Sequence, residues 1–139
     1  ISKSSKNIIS NNDKIIFAGY QNDVRPYFSI SDVLIFPSYR EGLPNVVLQA
    51  GAMGLPSIVS NINGCNEIIE NNTNGLVIKV KCIDAIYDAM IKITSDKILF
   101  NKLRLNSRDS IKIKYEREAL WGMLLNEYED LIKVITNEK

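Results

Sequence analysis

Four short apolar runs divide residues 14–80, and each is bounded by glycine, proline or a polar loop. Runs of this length without polar alternation are typical of strands buried on both faces. We predict strands at residues 14–20, 32–38, 56–60 and 74–80. Residues 43–53 have a helical pattern, with Pro44 in the first turn and Gly54 at the end. Because strands alternate with helices, the pattern predicts an α/β fold: a Rossmann-like parallel sheet with helices on both faces.

A helical pattern continues from Ile83 onward and predicts two core-facing stripes. The first stripe comprises Ile83, Ile86, Met90 and Ile93, and the second comprises Leu120, Leu124, Tyr128 and Leu131. We interpret Trp121 as a packing residue beside the second stripe. The chain is therefore predicted to form a single domain over residues 1–139, with a parallel α/β core at about 14–80 and a helical C-terminal part at about 82–136.

The composition narrows the chemistry that the chain can perform. Apolar residues make up 45%, charged residues 24%, and the net charge is +1, so no nucleic-acid partner is expected. The chain has no histidine, which excludes Ser-His and Cys-His nucleophilic catalysis. Cys65 and Cys82 cannot complete a zinc ligand set by themselves, so no metal site is expected, and we interpret both as reduced, idle thiols. No run reaches the ~18 apolar residues of a membrane span.

Polar loops follow three of the predicted strands. In an open parallel sheet, ligands bind beyond the carboxyl ends of the strands, where such loops converge. We therefore expect Tyr20, Ser38, Glu41 and Glu67 to face one ligand.

The helix after Gly42 is predicted to begin at this crevice. Its first N–H groups lack partners within the helix, and groups of this kind attract phosphate. Pro44 has no N–H, whereas Asn45, Val46 and Val47 each offer one. From the residues alone, a phosphate site and a helix whose N-terminus is simply solvated remain equally good interpretations.

The segment "DVLIFPSYREGLPNVVLQAGAMGLPSIVSNINGCNEII" resembles the signature of the family-4 retaining glycosyltransferases, which have the GT-B fold. The flanking segments "DKIIFAGYQNDVRPYFSISDV", "NNTNGLVI" and "YEREALWGMLLNEYEDLI" also resemble the family, so the likeness covers nearly the whole chain. The resemblance implies the C-terminal half of a GT-B enzyme, the half that binds the nucleotide-sugar donor.

The resemblance also implies roles for individual residues. Glu41 matches the first acid of the E-x7-E motif, which contacts the donor sugar at its reacting end, and is our candidate catalytic residue. The candidate donor-binding residues are Gly19, Tyr20, Gln21, Ser38, Gly42, Leu43, Asn45, Val46, Gln49 and Glu67. Within this set, Gly19 to Gln21 match the loop that frames the nucleobase. The amides of Leu43, Asn45 and Val46 match the backbone that meets the donor sugar and the pyrophosphate.

The chain departs from the family pattern at three places. The second acid of the motif is Gln49, whose amide oxygen accepts hydrogen bonds without the help of a charge. Asn63 replaces the first of two paired glycines, and Ala50 with Gly51 replaces an alanine-methionine pair. We also expect the fold to be incomplete at its N-terminus. Two strand–helix pairs, a basic pair that clamps the pyrophosphate and an acceptor domain have no counterpart here, so this chain alone is expected to be inactive.

The resemblance implies a glycosyltransferase that moves a sugar, with retention, from a UDP-sugar or GDP-sugar to a bacterial polysaccharide or glycolipid acceptor. No cofactor is expected, and the place of action would be cytoplasmic or peripheral at the inner face of the membrane. One alternative is a non-catalytic nucleotide-sugar binding or assembly module, and another is a nucleotide-sugar epimerase. If strands are missing beside residues 33–36, the bare sheet edge predicts a homodimer unless residues 14–19 pair there.

Overall fold

The computed structural model describes residues 2–137, in which three strands and seven helices occur. The strands are β1 (Leu34–Phe36), β2 (Ser57–Ser60) and β3 (Gly75–Ile78). The helices are α1 (Lys3–Ser10), α2 (Arg25–Ser29), α3 (Asn45–Ala52), α4 (Cys65–Ile68), α5 (Ile83–Ser95), α6 (Lys97–Tyr115) and α7 (Arg117–Asn137). None of the helices in this range combines the length and the apolar character needed to cross a bilayer.

The three strands form one parallel sheet in the order β1-β2-β3. Ile58 at the centre of β2 aligns with Ile35 of β1 and with Leu76 of β3. Every residue of β2 is buried, as expected for a central parallel strand covered on both faces. The predicted α/β fold with a parallel sheet is confirmed, and three of the four predicted strands are present.

Apolar side chains fill both faces of the sheet. Successive residues of a strand point to opposite faces, and the neighbours Val59 and Ile58 accordingly belong to two different buried clusters. The cluster around Val59 is built mainly by α3 and α4, and the cluster around Ile58 mainly by α5 and β3. Helix α6 contributes to both clusters, through Ile111 to the first and Leu103 to the second.

A close approach of α6 to α3 explains one departure from the family pattern. A Cβ atom added to Gly51 would lie 2.6 Å from Cγ1 of Ile111 and 3.6 Å from the carbonyl oxygen of Ser107. A larger residue at this position would therefore push the two helices apart. The glycine at position 51 fits the packing of α3 on α6.

The predicted strand at residues 14–20 is wrong. This segment has no regular secondary structure, and Ile16 is 89% exposed. A strand needs a neighbour for its backbone N–H and C=O groups, and within residues 2–137 this segment pairs with no strand. An apolar run indicates burial, but it does not supply the partner that makes a strand.

The two predicted helical stripes are corrected in part. On α5, Ala89 and Ile93 are buried, whereas Ile83 and Met90 are exposed. On α7, the whole predicted stripe is exposed, and so is Trp121, whose ring lies 4.4 Å from the guanidinium carbon of Arg117. Periodicity identifies an apolar face, but it does not identify what that face contacts.

Candidate functional site

The loop after β1 holds the candidate catalytic carboxylate. The Ser38 hydroxyl donates a 2.6 Å hydrogen bond to Oε1 of Glu41, and it lies 3.5 Å from the carbonyl oxygen of Arg40. Glu41 is half-buried, and the bond from Ser38 holds one of its carboxylate oxygens within the loop. The fixed oxygen gives Glu41 a defined orientation before any ligand binds.

The loop after β2 contacts the loop after β1 backbone to backbone. Gly64 has φ +78°, and a Cβ atom at this position would overlap with the carbonyl oxygen of Gly42 and approach Cδ of Pro44 to 3.1 Å. Only glycine tolerates both the left-handed backbone and the close contact. The two loops that follow neighbouring strands therefore meet, as the sequence predicted for the carboxyl edge of the sheet.

Glu67 has a local structural role in the second loop. Its Oε1 accepts a 3.1 Å hydrogen bond from the Gly64 N–H at the start of α4. The carbonyl oxygen of Glu67 accepts a 3.2 Å bond from the Tyr115 hydroxyl. Burial, and secondarily the charge of Glu67, raises the pKa of Tyr115. Glu67 therefore anchors the loop that carries Gly64 and links it to the end of α6.

Cys65 lies beneath the two loops. Its side chain is fully buried in the first cluster, and burial, followed by the charge of Glu41, raises the pKa of the thiol. Cys65 and Cys82 are both free cysteines, so they form no disulfide. The sequence-based interpretation of two unpaired thiols agrees with this arrangement.

The N-terminus of α3 follows Gly42 and is capped by Pro44, which has an extended backbone. The Val47 N–H donates to the Pro44 carbonyl at 3.0 Å, so the expectation that this N–H is available is wrong. Within residues 2–137, the N–H groups of Asn45 and Val46 have no hydrogen-bond acceptor. These two donors, beside the exposed side chain of Leu43, are the open groups at this helix end.

The predicted nucleobase loop lies apart from these contacts. Gly19 has φ +67°, Tyr20 is 91% exposed, and the Gln21 amide donates a 2.6 Å bond to the Ala18 carbonyl. Tyr20 makes no hydrogen bond or ring contact in the part of the chain that the structure describes.

The residues that follow this loop reach Gln49. A depression in the surface is lined by the exposed Gln49, by Ala52 and Met53 at the end of α3, and by residues 22–25. Asp23 and Arg25 form an ion pair of 2.8 Å in this segment. The hydrogen bonds from Arg25 lower the pKa of Asp23 to about 2.

Lys81, a cation near the loop after β1, was not predicted from the sequence as a site residue. The Lys81 ammonium lies 5.5 Å from the centre of the Tyr39 ring, in the loop that carries Ser38 and Glu41. Lys81 has φ +57° and follows β3. Its position directly after the predicted strand at residues 74–80 could have identified it, because the carboxyl ends of parallel strands lie at the same edge of the sheet.

No group of three or more His, Cys, Asp and Glu side chains in residues 2–137 is arranged to hold a metal ion. The polar groups brought together at the sheet edge are instead the Glu41 carboxylate, two helix-end amides and the Lys81 ammonium. A carboxylate beside amide and ammonium donors suits a ligand that has both hydroxyl and anionic groups.

Comparison with known proteins places these features in a family. The chain is 39% identical over 98 residues to the UDP-Gal:alpha-D-GlcNAc-diphosphoundecaprenol alpha-1,3-galactosyltransferase of Escherichia coli, a match over 70% of this chain and 25% of the relative. The chain thus spans about a quarter of that protein's length.

Solved structures show the same fold. The C-terminal domain of the group 1 glycosyl transferase LpcC of Francisella tularensis superposes with TM-score 0.74 and 25% identity, covering 83% of this chain and 62% of that one. Anabaena HepE in complex with UDP superposes with TM-score 0.86 at 14% identity, covering 92% of this chain and 36% of that one. The prediction that this chain has the fold of the C-terminal half of a GT-B glycosyltransferase is confirmed. The sequence pattern of one family matches residues 3–110, and this chain therefore belongs to the glycosyl transferases group 1.

Proposed function

We propose that this chain is the donor-binding part of a retaining glycosyltransferase that moves a sugar from a nucleotide-sugar to a polysaccharide or glycolipid acceptor. The observation that carries the proposal is the Glu41 carboxylate, held by Ser38 in the loop that leads directly into the open end of α3. An acceptor for sugar hydroxyls and donors for a diphosphate are thereby adjacent in the chain.

In this proposal the donor sugar lies against Glu41. A charged carboxylate accepts stronger hydrogen bonds from hydroxyl groups than a neutral oxygen does. The Ser38 bond occupies one side of the carboxylate and leaves the other oxygen for the sugar. Glu41 thus fixes the reacting end of the donor. The acceptor hydroxyl bonds to the anomeric carbon on the face that the diphosphate leaves, the bond to the diphosphate breaks, and the hydroxyl proton passes to the departing diphosphate, so that the configuration is retained.

The diphosphate of the donor lies at the amides of Asn45 and Val46. Negative charge grows on this leaving group as the glycosidic bond breaks, so fixed N–H dipoles stabilise the transition state more than the ground state. Lys81, which follows β3 and lies over the Tyr39 ring of the Ser38–Glu41 loop, is proposed to add to this stabilisation.

The nucleoside of the donor extends from Gly19 to Gln49. Gly19, Tyr20 and Gln21 frame the base, and the Gln49 amide accepts from the ribose hydroxyls. Gly42 and Leu43 lie between sugar and diphosphate, and Glu67 acts by holding the second loop in place. Tyr20 would turn from solvent onto the base, since an exposed aromatic ring is available for stacking.

The comparisons support this assignment of substrates. The E. coli relative is named for a UDP-Gal donor and a diphosphoundecaprenol-linked acceptor, and Anabaena HepE binds UDP. We propose a UDP-sugar or GDP-sugar donor, no cofactor, and action at the cytoplasmic face of the membrane, where a lipid-linked acceptor is reached. Unchanged transfer after treatment with a chelator would support the absence of a metal requirement.

Calorimetric titration of the protein with nucleotide-sugars tests the proposal. We expect one nucleotide-sugar to bind with a dissociation constant at least tenfold below the others, and we expect Glu41→Gln to weaken its binding. Asp88→Asn, which removes an exposed acid of α5, is the matched control and should bind as the unaltered protein does. Equal binding by both variants would contradict the role of Glu41.

A non-catalytic binding module is the second candidate, and Gln49 favours it. An amide replaces the carboxylate that the family uses at the ribose. Transfer to a lipid-linked acceptor by the full-length protein, measured under conditions that saturate donor binding, distinguishes the two functions. Saturable binding without transfer would support the module.

A homodimer is the remaining partner that we propose. The outer edge of β1 pairs with no strand in residues 2–137, and residues 14–20 do not cover it. Unpaired edges recruit strands of other molecules. Light scattering measures the molar mass of the protein in solution. A monomer mass at high micromolar concentration would contradict the dimer.

A further inference from the structure

Helix α6 has a basic outward surface with exposed apolar residues between the charges. Its buried residues are Leu103, Ser107 and Ile111, which are spaced four residues apart and form one row. The exposed side chains outside this row include five cations, namely Lys97, Lys102, Arg104, Arg108 and Lys112. They also include three apolar residues, namely Ile98, Leu105 and Ile113. We refer to these eight residues as the α6 basic surface.

The cations of this surface form no ion pair within residues 2–137, although Asp109 and Glu116 line one depression together with Arg108 and Lys112. Asp109 is the one acid within α6. Among residues 2–137, no Asp or Glu carboxylate lies within 4.0 Å of any of the five cations. The chain as a whole has a net charge of only +1, so the positive charge is concentrated here. Such a surface is complementary to a dense array of anions.

The exposed apolar residues of the α6 basic surface indicate which kind of anionic partner it fits. Ile98 is 85% exposed, Leu105 is 74% exposed and Ile113 is 79% exposed. A phosphodiester backbone offers these side chains no apolar partner, and neither does an acidic peptide loop. A phospholipid bilayer offers both an anionic headgroup layer and an acyl boundary just beneath it. Lysine and arginine stems can lie along that boundary while their charges reach the headgroups.

We propose that the α6 basic surface docks the protein on an anionic phospholipid membrane. The helix would lie in the plane of the interface along its length of about 28 Å. The proposal rests on the proposed function in one respect: a lipid-linked acceptor is located at a membrane, so an enzyme that uses it must act there. The surface shares no residue with the loops that carry Glu41 and Gly64 or with α3.

Vesicle sedimentation of the purified protein tests this proposal, without donor or acceptor. We expect binding to vesicles that contain phosphatidylglycerol, weaker binding as salt is added, and little binding to pure phosphatidylcholine vesicles. Arg104→Gln, Arg108→Gln and Lys112→Gln together should weaken binding on the order of a hundredfold, because each cation near an anionic surface contributes about fivefold. The matched control is Lys3→Gln, Lys6→Gln and Lys14→Gln, which removes the same charge from exposed sites elsewhere.

A second variant separates lipid from other polyanions. Ile98→Gln with Leu105→Gln removes apolar surface without changing the charge, and should weaken vesicle binding while leaving binding to a short DNA duplex unchanged. Circular dichroism and thermal unfolding verify that each variant is folded. Absence of vesicle binding, equal loss in the lysine control, or no effect of the apolar variant would each overturn the proposal. Nucleotide-sugar binding and vesicle binding are measured separately. If the unaltered protein binds vesicles but no nucleotide-sugar, the proposed function is refuted and the membrane proposal is not.

Discussion

The Ser38 hydroxyl donates a 2.6 Å hydrogen bond to the Glu41 carboxylate three residues further along the same loop. The bond fixes Glu41 from within its own loop, so removal of either partner alters the orientation of a charged acceptor without opening a cavity in the core. The relationship makes the role of Glu41 separable from the stability of the fold.

Replacement of Glu41 by glutamine should lower sugar transfer by the full-length protein roughly five- to tenfold, because a neutral amide oxygen accepts a weaker hydrogen bond than a carboxylate does. The free energy of unfolding should change by less than ~1 kcal/mol, since Glu41 is in a loop. Initial transfer rates and urea denaturation measure the two effects. Ser38→Ala should show a smaller loss in the same direction. Unchanged turnover, or a large drop in melting temperature, would count against this role.

Replacement of Gln49 by glutamate should tighten the binding of a nucleoside diphosphate by up to about fivefold, because a charged acceptor gains ~1 kcal/mol over a neutral one. The gain is limited by the negative charge of the phosphates and by Asp23, which lies in the segment that shares the depression with Gln49. Calorimetry measures the change, and Gln49→Ala serves as the comparison that removes the acceptor. Weaker binding to the glutamate variant would show that Gln49 does not contact the ribose.

Replacement of Gly64 by alanine should destabilise the protein by more than ~3 kcal/mol, since it adds backbone strain to a direct overlap with the Gly42 carbonyl. Gly54→Ala is the matched control. Gly54 also has a positive φ of +77°, but an added Cβ would meet nothing within 4 Å. The control should therefore cost only the strain, about 1 kcal/mol. Equal costs in urea denaturation would mean that the two loops separate freely.

Replacement of Arg25 by glutamine should return the pKa of Asp23 from about 2 toward 3.8, because hydrogen bonds from Arg25 are the main cause of the shift. A carboxyl group whose folded pKa is lowered stabilises the folded state above its unfolded pKa. The contribution is lost as the pH falls from 3.8 through about 2. Carbon-13 NMR of the Asp23 carboxyl during an acid titration measures the midpoint. An unshifted midpoint in the unaltered protein would show that the ion pair does not persist in solution.

The three-stranded sheet and the meeting of the loops after β1 and β2 could be predicted because local signals and long-range packing agree there. Apolar runs at β1, β2 and β3 are short and bounded, and the buried β2 meets a partner on each side. The meeting of the loops after β1 and β2 follows from the parallel direction of the strands alone. The contact of Gly64 with Gly42 was not predictable, since it depends on the backbone path of both loops.

The failed predictions concern faces whose partner is not encoded locally. Residues 14–20 are as apolar as β1, but no described strand lies beside them. Leu124 and Tyr128 have the spacing of a core stripe, yet both are exposed on α7. In each case the sequence specifies a side chain that gains from burial, whereas burial itself depends on an element elsewhere in space.

The double role of α6 has a consequence for the order in which the chain folds during synthesis. Ile111 and Leu103 complete the clusters on opposite faces of the sheet, and both follow all three strands in the sequence. During synthesis, the three strands and helices α3, α4 and α5 therefore leave the ribosome before α6, the helix that completes both clusters. We expect nascent chains in which only residues up to Ser95 have left the ribosome to remain open to proteases on both faces. Chains in which Tyr115 has also left the ribosome should become resistant in a single step.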